Sequence, residues 1–142
     1  MRLVDHVWRV AQGAARRTDA ILWLTYEISL PQLLVLRAVV AAVDSGRGAL
    51  CGKDLARELQ CSAANASQLV AALVRRHWLT KARDTENGRV LRLYPTLAGR
   101  EAEYHATHLL ADCARRALEP MSALDQQILV VLLENVTLAT FS

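Results

Sequence analysis

The sequence lacks what would mark a secreted scaffold, a membrane span or a catalyst. Its three cysteines are an odd number without paired spacing, which argues against a disulfide framework and fits a reducing compartment. The longest purely apolar run near the C-terminus, Ile128 to Leu133, falls far short of the roughly 20 residues that cross a bilayer, so no membrane is expected. After Arg2 the N-terminus alternates polar and apolar residues (Asp5, His6, Arg9, Gln12), unlike the apolar core of a secretory signal, and a cytoplasmic location is expected. There is no nucleophile elbow, Walker loop or dinucleotide fingerprint. The histidines (His6, His77, His105, His108) and cysteines (Cys51, Cys61, Cys113) are scattered rather than set as nucleophile and base, so neither an enzyme nor a cofactor is expected. Net charge is only +3, so basic character that serves a polyanion must be local. It is local: Lys53, Arg57, Arg75, Arg76, Lys81, Arg83, Arg89 and Arg92 all fall in the middle third.

That middle third reads as one device from residue 53 to residue 99. A short helix from Lys53 to Leu59 is followed by a turn (Gln60-Cys61-Ser62) and a second helix with Ser62 as its N-cap. In the second helix Ala66, Leu69, Val70, Leu73 and His77 recur at helical spacing as a buried stripe. Ala64, Ser67, Gln68, Ala71 and Arg75 share the opposite face, which is small and polar. Such a face suits a helix pressed into the DNA major groove, where bulk would prevent close approach. Strand-like segments then run from Trp78 to Arg83 and from Arg89 to Leu93, joined at Asn87-Gly88, the dipeptide favoured by a two-residue type I′ turn with both residues at positive φ. A helix-turn-helix followed by a basic hairpin is a winged helix, and Arg89 at its tip is placed for a minor groove or phosphate. The DNA-facing set is therefore Ser62, Ala64, Asn65, Ser67, Gln68, Arg75, Lys81, Arg83 and Arg89.

Several segments carry a family resemblance. Ser29-Leu30-Pro31-Gln32-Leu33-Leu34-Val35-Leu36, Asp54-Leu55-Ala56, Leu69-Val70-Ala71-Ala72-Leu73-Val74-Arg75-Arg76, the wing with Arg89, and Thr96-Leu97-Ala98-Gly99-Arg100 together resemble the MarR family of bacterial transcriptional regulators over nearly the whole chain. The resemblance implies a dimeric winged helix that binds a palindromic double-stranded DNA operator, probed by an effector in many members. The chain departs from the pattern at three points: Asn87-Gly88-Arg89 replaces the usual Asp-x-Arg, His77 stands where glycine is common, and Gln68 stands where arginine is frequent.

The expected fold is mainly α with a small β-hairpin wing: residues 29–96 form the winged helix-turn-helix, and residues 1–28 and 97–142 form long dimerisation helices intertwined with it. Residues 3–24 give one helix with Val4, Val7, Trp8, Ala11, Ala15, Ile21 and Leu22 on its apolar side. Ser29 to Gln32 spells a capping box for the next. Thr96 opens a long helix to about Leu118, Pro120 breaks it, and Ser122 with Asp125 caps a last helix to about Leu138. Ile128 to Leu133, Val136 and Leu138 cover almost its whole circumference, so burial on several sides, in a homodimer, is expected.

The signal such a regulator would sense is open at this level. Trp8, Trp23, Tyr26 and Tyr104 are candidates to line a pocket for a small apolar or aromatic effector. Cys51, just before the helix at Lys53, is a redox candidate. Glu101, His105, His108 and Asp112, spaced four, three and four, are candidate metal ligands or simply a solvated helix face. An alternative of another class is a protein-interaction winged helix that never meets DNA.

Overall fold

Each helix boundary follows from local chemistry. The computed structural model describes the backbone of residues 2–141 and the side chains of this span except Val4 and residues 136–141. The side chains of Val4, Val136 and Leu138, counted above as apolar, therefore lie outside the described residues. Helix α1 spans Arg2–Tyr26 and α2 spans Leu30–Asp44. Between them Ser29 forms the expected capping box: its hydroxyl accepts from the Gln32 N–H at 3.2 Å, and the Gln32 side chain accepts from the Ser29 N–H at 3.1 Å. Asp19 adds a further acceptor for the Leu30 N–H at 2.7 Å. Helices α3 (Gly52–Glu58) and α4 (Ala63–Arg75) make the helix-turn-helix, and Ser62 caps α4 by accepting from the Asn65 N–H at 3.1 Å. Strands β1 (Leu79–Arg83) and β2 (Leu91–Pro95) pair antiparallel with Leu79 opposite Pro95 and Arg83 opposite Leu91. Helix α5 spans Leu97–Leu118, stopping before Pro120, and α6 spans Ala123–Phe141 with Ser122 accepting from the Asp125 N–H at 3.1 Å.

The chain divides into two units, Met1–His108 and Leu109–Ser142. The core of the first is apolar and continuous through α2, the helix-turn-helix and the hairpin: Leu22, Ile28, Leu33, Leu36, Leu55, Leu73 and Leu79 are fully buried. Of the predicted stripe on α4, Ala66, Val70 and Leu73 are buried and Leu69 is half-buried. His77 is not part of it. The helix ends at Arg75, so helical spacing no longer applies; His77 is exposed at φ 60° and its N–H donates to the Val74 carbonyl at 3.0 Å. It thus takes the left-handed conformation that glycine adopts more cheaply.

The start of α5 is pressed against the chain leaving α4. Thr96 donates its N–H to the Trp78 carbonyl at 3.0 Å and its hydroxyl to the His77 carbonyl at 2.6 Å, and the same hydroxyl accepts from the Gly99 N–H at 3.0 Å. Gly99 is buried there with no room for a side chain. In the second unit, Leu124, Ile128, Val130, Val131, Leu132 and Leu133 of α6 are all exposed, as are Leu3, Val7, Trp8 and Val10 of α1 in the first. Among the described residues no single helix is long and apolar enough to cross a membrane.

Candidate nucleic-acid interface

The outward face of α4 carries Ala64, Asn65, Ser67, Gln68 and Arg75, all exposed, with Ser62 exposed at its start. None of the first four is larger than an amide side chain, so the helix backbone can approach a partner surface closely. Beside this face lies the hairpin. Successive strand side chains alternate, so Lys81, Arg83, Leu91 and Leu93 share one face of the sheet, with Leu93 buried. Between α4, the start of α3 and the wing is an open cleft of about 480 Å³. Ala66, Val70, Leu91 and Leu93 contribute apolar lining, and Lys53, Lys81, Arg89 and Ser67 contribute the polar lining. The structure therefore brings Ser67, Lys81 and Arg89 to one cleft and leaves Arg75 exposed at the far end of α4.

The wing tip differs from the two-residue turn expected at Asn87-Gly88. Seven residues, 84–90, separate the strands, and neither Asn87 nor Gly88 has positive φ. Local side-chain bonding wins over the dipeptide preference. Asp84 Oδ2 accepts from the Asn87 N–H at 3.2 Å, and Asn87 Oδ1 accepts from the Arg89 N–H at 3.2 Å. Asx-type turns of this kind give the backbone an alternative to the ladder. The loop closes with the Val90 N–H donating to the Asn87 carbonyl at 3.0 Å and the Asp84 N–H donating to the Val90 carbonyl at 2.9 Å. β2 consequently begins at Leu91, two residues later than expected, and Arg89 belongs to the loop. Arg83 is also redirected: its guanidinium donates to the Gly88 carbonyl at 2.7 Å and so braces the tip.

Other cations of the middle third are likewise committed within the fold. Arg76 caps the C-terminal end of α1, donating to the carbonyls of Tyr26 (at 3.0 Å) and Glu27, and its guanidinium carbon lies 3.7 Å from the centre of the Trp78 ring. Arg92 donates to the Ala49 carbonyl at 3.2 Å and pairs with Asp54. The sequence placed Arg76 and Arg92 only in the basic cluster and Asp54 only in a family segment; these partners, and Asp84, emerge from the fold.

Cys51 precedes α3 and lines the cleft, and its thiol donates to Asp54 Oδ2 at 3.1 Å while its N–H donates to the same oxygen at 3.3 Å. These two bonds, the thiol's first, hold the Asp54 carboxyl below the ordinary aspartate range; partial burial opposes them, and Arg57 and Arg92 add to them. The effector candidates are not gathered. Trp8, Trp23 and Tyr104 are each more than half exposed, and the carbonyl of the half-buried Tyr26 serves Arg76. Tyr104 instead meets rings of its own helix, His108 tilted by 35° with ring centres 4.0 Å apart and His105 edge-on at 5.4 Å. Of the metal candidates, His108 Nδ1 contacts the Tyr104 carbonyl at 2.7 Å, Asp112 pairs with Arg115 at 2.9 Å, and Glu101 and His105 are exposed. Among the described residues no three His, Cys, Asp or Glu side chains are grouped to hold a metal ion.

No protein-family model matches the sequence, and no curated protein matches it. Solved structures do. The PcaV transcriptional regulator from Streptomyces coelicolor is 27% identical over 96% of each chain with a TM-score of 0.74. The same regulator in complex with its natural ligand matches 94% of this chain and 90% of its own at 26% identity and a TM-score of 0.72. The MepR–DNA complex of S. aureus shares 16% identity over 95% of this chain and 96% of that one, with a TM-score of 0.80. A MarR/EmrR family transcriptional regulator from Acinetobacter sp. ADP1 shares 14% identity over 98% and 94% of the two chains, with a TM-score of 0.78.

Proposed function

We propose that this chain, whose fold is the winged helix-turn-helix of MarR-type regulators, is a transcriptional regulator, a repressor, that binds a palindromic operator as a homodimer in the cytoplasm. The observation that carries this reading is the exposed, small and polar outer face of α4 set beside Lys81 and Arg89 across one cleft. In this arrangement Ala64, Asn65, Ser67 and Gln68 face base edges, while Ser62, Arg75, Lys81 and Arg89 face phosphates or the adjoining minor groove. Arg83 serves the interface indirectly, through the wing tip it braces. The binding of DNA by MepR, a protein of the same fold, supports the same use here.

The homodimer rests on the apolar exposure of α1 and α6. On α1 Leu3 is 75% exposed, and on α6 Leu124 is 65% and Leu132 56% exposed; each helix leaves aliphatic residues open that a lone chain in water would cover. Two-fold pairing of these helices buries them and presents two copies of α4 to two half-sites. PcaV has been captured with its natural ligand, which supports release by a small molecule. The effector candidates Trp8, Trp23, Tyr26 and Tyr104, which a single chain does not gather, are proposed to form a pocket only with a partner protomer beside them.

The test is an anisotropy titration on the DNA upstream of the protein's own reading frame at several salt concentrations. Affinity should fall log-linearly with salt, as phosphate neutralisation requires. Gln68→Ala should cost about 1 to 3 kcal/mol and relax preference at one position per half-site; Arg75→Ala should weaken all sequences alike and lower the salt slope. Affinity indifferent to salt removes the DNA reading.

A further inference from the structure

Arg92 lies on the face of β2 opposite the cleft. Leu91 and Leu93 line the cleft, so strand alternation sends the intervening side chain the other way, while the backbone of Arg92 pairs with that of Cys51 in an isolated antiparallel bridge. Its Nη1 donates to the Ala49 carbonyl at 3.2 Å and lies 3.5 Å from Asp54 Oδ2, and its Nε lies 3.7 Å from Asp84 Oδ1. The side chain is 29% exposed and that of Asp84 is 23% exposed. These partners come from three separate segments: the chain before α3, the first turn of α3 and the base of the wing loop. Asp84 then continues the link, because its other oxygen accepts from the Asn87 N–H, and Asn87 in turn accepts from the N–H of Arg89.

We propose that Arg92 is the positioning residue of the wing, a strut that ties the wing base to α3 and sets the pose from which Arg89 meets DNA. Two carboxylates within 4 Å offset its charge, which makes it a poor phosphate ligand and a good brace. The strut itself is independent of what the wing binds; its effect on affinity rests on the DNA-binding reading above.

A strut and a direct phosphate contact predict opposite signs for Asp84→Asn. Removing a negative charge near DNA and releasing Arg92 should strengthen binding if Arg92 touches phosphate. It should weaken binding if Asp84 and Arg92 together hold the wing. We would measure amide hydrogen exchange across residues 84–90 without DNA, and DNA affinity with and without Arg89→Ala, for Arg92→Met, Arg92→Lys and Asp84→Asn. The strut predicts that Arg92→Met speeds exchange at Asn87 and Val90 by about tenfold and weakens DNA binding by about tenfold, but has little effect once Arg89 is alanine. Arg92→Lys should recover part of the loss, and Asp84→Asn should weaken binding. Stronger binding by Asp84→Asn overturns the proposal, as does unchanged exchange together with additive losses from Arg92→Met and Arg89→Ala. Should Arg92→Met not fold, Asp84→Asn decides alone through exchange and the sign of its effect. A wild-type protein that binds no DNA sinks the DNA reading, while the exchange measurement still decides the strut.

Discussion

Replacing Gly99 by alanine sets two effects of opposite sign against each other. In an open helix the exchange is favourable by about 1 kcal/mol, because glycine loses more backbone freedom on folding. Gly99, however, lies in the first turn of α5, where an added Cβ would stand 2.0 Å from the Trp78 carbonyl oxygen and 2.9 Å from its carbon. A non-bonded contact settles near about 3.5 Å, so roughly 1.5 Å must be opened against backbone that cannot swing away as a side chain would. The same carbonyl accepts from Thr96, and Thr96 also bonds His77 and Gly99, so opening the gap disturbs the whole junction. Overpacking of this kind costs about 1 to 3 kcal/mol and a lost hydrogen bond about 1 more. Against the propensity gain, a net destabilisation of about 1 to 3 kcal/mol remains, or roughly 3 to 10 °C in Tm for a chain of this size. Thermal unfolding followed by circular dichroism, at one protein concentration because association adds to stability, measures it. A Gly99→Ala protein as stable as the wild type, or more so, would refute the close approach of α5 to Trp78.

Two further predictions concern the dimer and acid stability. Leu132 is 56% exposed in the single chain, so Leu132→Asp would be nearly silent in a monomer; in the proposed dimer it buries a charge at a cost of several kcal/mol, and light scattering after size exclusion should show monomer, whereas an intact dimer places the contact elsewhere. Asp54 titrates below its ordinary range when folded, so its stabilising contribution is complete above the unfolded value of about 3.9 and is lost as pH falls through the lowered folded value. Cys51→Ala removes the largest cause, and should move the carboxyl's NMR titration up toward the ordinary value; an unmoved titration would show that the backbone N–H and the two guanidinium groups suffice.

Signals that act within one turn of chain were legible from the residues alone. Ser29, Ser62 and Ser122 each cap the helix they precede, because a hydroxyl at that position needs only a backbone N–H two or three residues on. The apolar stripe of α4 was legible as far as the helix extends, and it failed at His77 because periodicity does not announce where a helix stops. The wing tip failed for a related reason. Asn87-Gly88 is a strong hairpin dipeptide, yet Asp84 and Asn87 supply side-chain acceptors to backbone N–H groups and thereby stabilise a longer loop. Nothing in the dipeptide reports a competitor three residues upstream.

The basic cluster shows the deeper limit of counting charges. Arg75, Arg76, Arg83, Arg89 and Arg92 are equal in sequence, and the field a partner meets depends on what each guanidinium already holds. Arg76 is drawn to carbonyls at the C-terminal end of α1, the negative end of that helix, and stacks on Trp78. Arg83 holds a loop carbonyl, and Arg92 faces two carboxylates. These three hold in place the helix end, the wing tip and the wing base from which Arg75, Lys81 and Arg89 are displayed. Neutralising any of them should therefore alter DNA binding through geometry, whereas neutralising Arg75 or Lys81 should alter it through charge, with the salt slope as the quantity that separates the two. The local basic excess of this chain thus comprises two populations, one held by partners within the fold and one displayed on the proposed interface.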